Sequence, residues 1–201
     1  MPLLVTQESA VFGTSIPLSS FTGLLSAHQA KYPTTRDVEA QGTALALGDF
    51  AHSSVNEFVK AVCDWGGYSG IGGRILKRNN VDRIASALRS ASLALEGEKP
   101  DFICAIAALN SLNSLGTPSF ASKHLRFLRP DVCPVFDSLL QEALPYSFDA
   151  SGFAQFAEDC IVLAGRLTDL GISNPSHRPS EKWFAADVEA AIFAYVTDLG
   201  L

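Results

Sequence analysis

The amino-acid sequence predicts a mostly α-helical protein, and two observations carry that prediction. From residue 51 onward apolar side chains recur at three- and four-residue spacing, and the periodic segments are bracketed by cap residues, prolines and glycines. Any short strands belong to the first fifty residues, an irregular N-terminal part where ‘GTSIPLSSFTG’ and ‘KYPTTRD’ are rich in turn formers and periodicity is weak. At 201 residues the chain is long enough for one substantial core, so residues 1–201 read as a single domain whose helical part spans 51–201.

The first legible helix is ‘SSVNEFVKAVCDW’, which puts Val55, Phe58, Val59 and Val62 on one face and ends at Gly66 and Gly67. ‘GGYSGIGG’ reads as a glycine-rich loop. It carries no lysine–serine/threonine pair and follows no strand pattern, so it is neither a P-loop nor a dinucleotide fingerprint. A mobile segment feeding Arg74, Lys77 and Arg78 is expected instead. Asn80 is placed to cap a helix reaching about Leu95, with Ile84, Leu88 and Ala91 inward and Arg83 and Arg89 outward.

Pro100 suits the first turn of ‘DFICAIAALNSLNSL’, which Gly116 would close as the residue after the C-cap. Thr117 and Pro118 repeat the opening signal at once, predicting an αα-hairpin with almost no linker, its second helix ending before Pro130. A short helix is expected from Asp137 to about Leu144. Asp149 would cap a long one through Leu170, and Ser180 the last, ‘EKWFAADVEAAIFAYVTDL’.

No apolar run approaches the roughly 20 residues of a membrane span. The start, ‘MPLLVTQESA’, lacks the basic region of a signal peptide, so a cytoplasmic location without a membrane partner is expected. Cys63, Cys104, Cys133 and Cys160 form no Cys-x-x-Cys pair, and His28, His52, His124 and His177 are equally scattered, so no metal or other cofactor is required.

The net charge of −6 is unevenly spread. Residues 74–129 hold nine basic and four acidic side chains, against three and six before them and three and eleven after them. Such a basic middle is what one phosphate-facing surface on an acidic body would look like, because counterion release follows local charge.

By itself Asp137 is a helix N-cap. Its neighbourhood adds meaning: a helix, a hairpin at Gly116 and Thr117, a second helix bearing Lys123, His124, Arg126 and Arg129, the segment ‘PDVCPVF’, and then the aspartate. This order of parts resembles the helix-hairpin-helix DNA glycosylase superfamily over roughly residues 100–140. Ser119 lies 18 residues before Asp137 and Pro134 three before it, a layout similar to the mismatch adenine glycosylase branch. ‘DWGGY’, ‘FASKHLRFLRPD’, ‘FDSLL’ and ‘DVEAAIFA’ together look like bacterial 8-oxoguanine DNA glycosylase-like proteins over about residues 60–196.

The resemblance implies a DNA partner and a catalytic role for Asp137, whose carboxylate would stabilise the oxocarbenium character of the deoxyribose and orient or deprotonate water. It implies phosphate contacts from the hairpin around Gly116, Thr117 and Ser119, with Lys123, Arg74, Lys77 and Arg78 adding cations. A flipped base needs apolar walls, for which Trp65 and Tyr68 are candidates and Trp183 and Phe184 weaker ones. Ser119 falls where lyase members carry their lysine, which implies monofunctional hydrolysis; Lys123, 14 residues before Asp137, could replace that lysine only through a shortened hairpin. The hairpin also lacks the full ‘LPGVG’ pattern, and iron–sulfur cysteines are missing. Oxidised guanine, an alkylated purine and a hypermodified base in foreign DNA all stay open as substrates. A monomer is expected, and a DNA-binding module without catalysis is the alternative.

Overall fold

Side-chain caps set the start of several helices, and one apolar core holds them together. The structure, a computed structural model, describes residues 8–11 and 14–198. Residues 1–7, on which the leader expectation rests, lie outside them. Strands β1 (Glu8–Val11) and β2 (Thr14–Pro17) pair antiparallel, with Glu8 opposite Pro17 and Val11 opposite Thr14. A 3-10 turn, Leu18–Ser20, leads into α1 (Phe21–Lys31), α2 (Thr35–Leu47), α3 (His52–Trp65), α4 (Ser69–Arg78) and α5 (Val81–Ala94). The remaining helices are α6 (Phe102–Asn110), α7 (Ser119–Leu128), α8 (Ser138–Ala143), α9 (Ala150–Asp169) and α10 (Ala185–Asp198). The protein is thus mostly helical, and none of the described helices is long and apolar enough to cross a membrane.

Four caps stand where side-chain chemistry puts them. Asn80, Asp101, Asp137 and Asp149 each accept a hydrogen bond from the backbone N–H three residues on, satisfying a donor that the first helical turn leaves free. Other expectations are corrected. The first fifty residues are not irregular, since they hold α1 and α2 besides the two strands. ‘SGIGGR’ is helical, not a loop: Gly72 faces α3 so closely that a β-carbon there would sit 3.2 Å from Cys63 Cβ. Helix α6 stops at Asn110, so residues 111–118 form a real connection, and Pro118, not Thr117, precedes the first turn of α7. The last helix begins at Ala185, well after Ser180.

Helix α7 runs through the interior. Its residues from Phe120 to Leu128 are all buried, including Lys123, His124 and Arg126. Helix α2 crosses α7 at Gly42, where a β-carbon would fall 1.9 Å from Phe127 O; only glycine permits that approach. Helices α1 and α10 pack side by side, and α10 also rests on α9. Beneath them, Phe136 meets Tyr146 and Phe156 at ring-centre distances of 6.3 and 5.4 Å. Three cysteines, Cys63, Cys133 and Cys160, are buried free thiols, whereas Cys104 is exposed.

Candidate active site

The loop before α8 is held from two sides. On one side Ser122 Oγ, on α7, accepts from Phe136 N at 2.9 Å and donates to Ser119 O at 2.8 Å. On the other, the first turn of α10 donates from Ala185 N to Asp131 O and from Ala186 N to Pro130 O, each at 3.1 Å, while Val135 N donates to Glu189 Oε2 at 3.3 Å. These bonds leave little freedom for Asp137 at the loop's end. One of its oxygens, Oδ1, caps α8 by accepting from Leu140 N at 3.3 Å. The other, Oδ2, lies 3.5 Å from Lys123 Nζ.

Lys123 also donates to Ser119 Oγ, one turn earlier, at 3.2 Å. Its ammonium lies 5.3 Å from the centre of the Phe120 ring. Only 6% of the residue is exposed, so the cation does not lie on an outer DNA-facing surface as expected. It lines a pocket instead. The pocket holds about 170 Å³, and its walls are His28, Tyr32, Trp65, Val135 and Phe193, with Asp137, Glu189 and the glycine pair 66–67 completing it. A closed cavity of about 150 Å³ admits benzene, so this pocket is of single-ring size.

The aromatic walls brace one another. Tyr32 meets His28, Trp65 and Phe193 at ring-centre distances of 4.7, 5.8 and 6.1 Å. Trp65 donates from Nε1 to Thr35 Oγ1 at 2.9 Å and stands edge-on to Phe127 at 4.9 Å. His28 is buried, and its Nδ1 has no hydrogen-bond partner. Burial, aided by Arg126 and Lys31, lowers its pKa to about 3, so the ring is neutral.

Glu189 is the least expected member. It is 3% exposed, and burial raises its carboxyl to about 8; Arg126 opposes the shift and Asp137 reinforces it. Tyr32 is raised too, by burial first and then by Asp137 and Glu189. The pocket therefore holds a neutral carboxylic acid at pH 7 beside Asp137 and a lysine.

A second, larger cavity of about 570 Å³ shares His28 and Tyr32 with the first. Its wall contains a buried ionic chain. Arg126 Nη1 donates to Glu39 Oε1 at 2.7 Å, Arg178 donates to both oxygens of Glu39 at 2.6 and 3.0 Å, and Arg178 also grips Asp187 at 2.7 Å. Asn174 and Ser176 complete the shell of Asp187.

The other sequence-predicted residues lie elsewhere. Tyr68 is 64% exposed and rests edge-on against Phe120, outside the pocket lining. Trp183 belongs to the core. It meets Phe21 edge-on at 6.2 Å and donates from Nε1 to Ile172 O at 2.7 Å, so its ring is unavailable to a ligand. Phe184 lies under the Arg178 guanidinium. Ser119 touches Lys123 but does not line the pocket.

Arg74, Lys77 and Arg78 are exposed on α4, and Gly116 and Thr117 on the neighbouring connection. That connection is tied to α4: Asn79 Nδ2 donates to Asn113 O at 3.0 Å, Asn113 N donates back to Asn79 Oδ1 at 2.9 Å, and Arg78 Nη1 donates to Ser114 Oγ at 2.8 Å. The end of α4 and the connection between α6 and α7 are thus joined side by side. No protein family, curated protein or solved structure matches the chain.

Proposed function

We propose that this protein is a DNA N-glycosylase of the helix-hairpin-helix type. The observation that carries the reading is the Lys123–Asp137 pair, 3.5 Å apart in a pocket of one-ring size with aromatic walls. A carboxylate held there stabilises positive charge developing on the deoxyribose as the C1′–N bond breaks. An amine beside it is a nucleophile for C1′, and a covalent imine with the opened sugar follows. Ser119, expected to stand in for the lysine, instead accepts a hydrogen bond from it and aims it. The reading therefore moves from water alone to an amine-assisted cleavage.

Three further features support it. The neutral His28 ring gives the wall a further flat group against which a base could lie. Trp65, Tyr32 and Phe193 offer the ring faces that an extruded base needs. Exposed Arg74, Lys77 and Arg78 beside Gly116 and Thr117 make a surface suited to backbone phosphates.

The test is incubation with duplexes carrying single 8-oxoguanine, hypoxanthine, uracil, N7-methylguanine or glucosylated 5-hydroxymethylcytosine, with and without borohydride. A trapped protein–DNA adduct, lost in Lys123→Met and Asp137→Asn proteins that still fold, is expected. Base release that survives in Lys123→Met would return the chemistry to activated water. Salt-sensitive DNA binding with no base released from any duplex would leave a DNA-binding module without catalysis.

A further inference from the structure

Two carboxyl groups face this pocket in different surroundings. Asp137 stands beside a cation and a helix N-terminus. Glu189 is enclosed on α10, and among the described residues its only hydrogen bond is the 3.3 Å one from Val135 N to Oε2. A carboxyl enclosed away from water favours its protonated form and, where it lines a pocket, is placed to give that proton to a ligand. Both carboxyls are fixed to one strip of backbone, since Val135 is two residues before Asp137.

We propose, resting on the glycosylase reading, that Glu189 is the proton donor to the departing base, and that the substrate is an uncharged base needing protonation on a ring nitrogen to leave. The Glu189 O–H bond breaks, its proton goes to that nitrogen, and the electron pair of the C1′–N bond goes to the base. The Lys123 ammonium, which must lose one proton to attack C1′, returns it to the Glu189 carboxylate. Proton and charge balance without an external reagent. A base that already carries positive charge, such as an N7-alkylated purine, gains nothing from this donor.

The groups facing Glu189 are His28 from α1 and Tyr32 just after it, Lys123 and Arg126 from α7, Asp137 ahead of α8, and Cys160 from α9. His28 is neutral throughout the working range, and the Tyr32 and Cys160 shifts run upward. The donor should act while Glu189 is protonated, up to about pH 8, and release should then fall about tenfold per pH unit.

The experiment is single-turnover base release between about pH 6 and pH 10, on the five duplexes above, with wild type and Glu189→Gln, each checked by circular dichroism. Expected is a loss of about 100-fold or more on the uncharged bases in Glu189→Gln, and a wild-type alkaline limb near pH 8. Release by Glu189→Gln within about threefold of wild type, no alkaline limb in the wild type, or wild-type release of N7-methylguanine alone would each overturn the proposal while leaving the glycosylase reading intact. Release from none of the duplexes, with no trapped adduct, would remove that reading and the proposal together.

Discussion

The stem of Lys123 runs directly against Gly66. A β-carbon at position 66 would lie 3.2 Å from Lys123 Cδ and 3.3 Å from Cε, so the glycine leaves the channel through which the amine reaches Asp137. The backbone at Gly66 has φ −73°, which any residue adopts. Gly66→Ala should therefore change stability by less than about 1 kcal/mol in urea melts. It should reduce borohydride trapping by about tenfold or more, because small misplacements at a reacting centre are costly.

Gly42→Ala is expected to do the opposite. Its β-carbon would meet the Phe127 carbonyl at 1.9 Å, and backbone cannot rotate aside as a side chain can. Helices α2 and α7 would have to part, costing about 3 kcal/mol. Chemical denaturation should show the loss, and an unchanged midpoint would mean that α2 does not cross α7 so closely.

Arg178 links two buried carboxylates. Replacing it with Met takes the cation away from Asp187 and removes half of the Glu39 shell, for an expected loss of about 3 kcal/mol. Arg178→Lys should recover little of this, since a single ammonium cannot reproduce the forked contacts to both partners. Thermal melts of the two variants side by side make the comparison.

Stability should peak near pH 6.5. His28 and His124 are held neutral by burial, with pKa values lowered to about 3 and about 4, so unfolding takes up protons below pH 6.5 and stability falls with acid. Glu189 acts with the opposite sign. Protonated in the folded state up to about 8 but ionised above about 4.5 once unfolded, it lowers stability as pH rises through that window. The two histidines outweigh it below pH 6.5, and it acts alone above. Glu189→Gln should remove the decline between about pH 6.5 and pH 8, which urea midpoints at several pH values would reveal.

The legible parts of the sequence were those where local chemistry decides structure. Asn80, Asp101 and Asp149 cap helices because their short side chains reach backbone donors three residues away, a contact that needs no tertiary partner. Asp137 was found the same way. ‘GYSGIGG’ was misread because its glycines suggest a loop, whereas Gly72 serves contact between α3 and α4. Lys123 looked like a surface cation, since its burial follows only from how α7 is enclosed by other helices.

The rest of the pocket was hidden for a related reason. His28, Tyr32, Glu189 and Phe193 come from opposite ends of the chain and meet only because α1 lies along α10. One clue was available in ‘DVEAAIFA’: Glu189 and Phe193 are four apart on a largely apolar stretch, where burying a carboxylate is unfavourable without a partner.

That pairing of α1 with α10 has a consequence for biosynthesis. A nascent chain emerging from the ribosome displays Trp65, Lys123 and Asp137 long before Glu189 and Phe193 have been made. Until α10 leaves the exit tunnel and docks, the aromatic chamber lacks one wall. A half-made chain therefore has no enclosed chamber, and the pocket closes only at the end of synthesis.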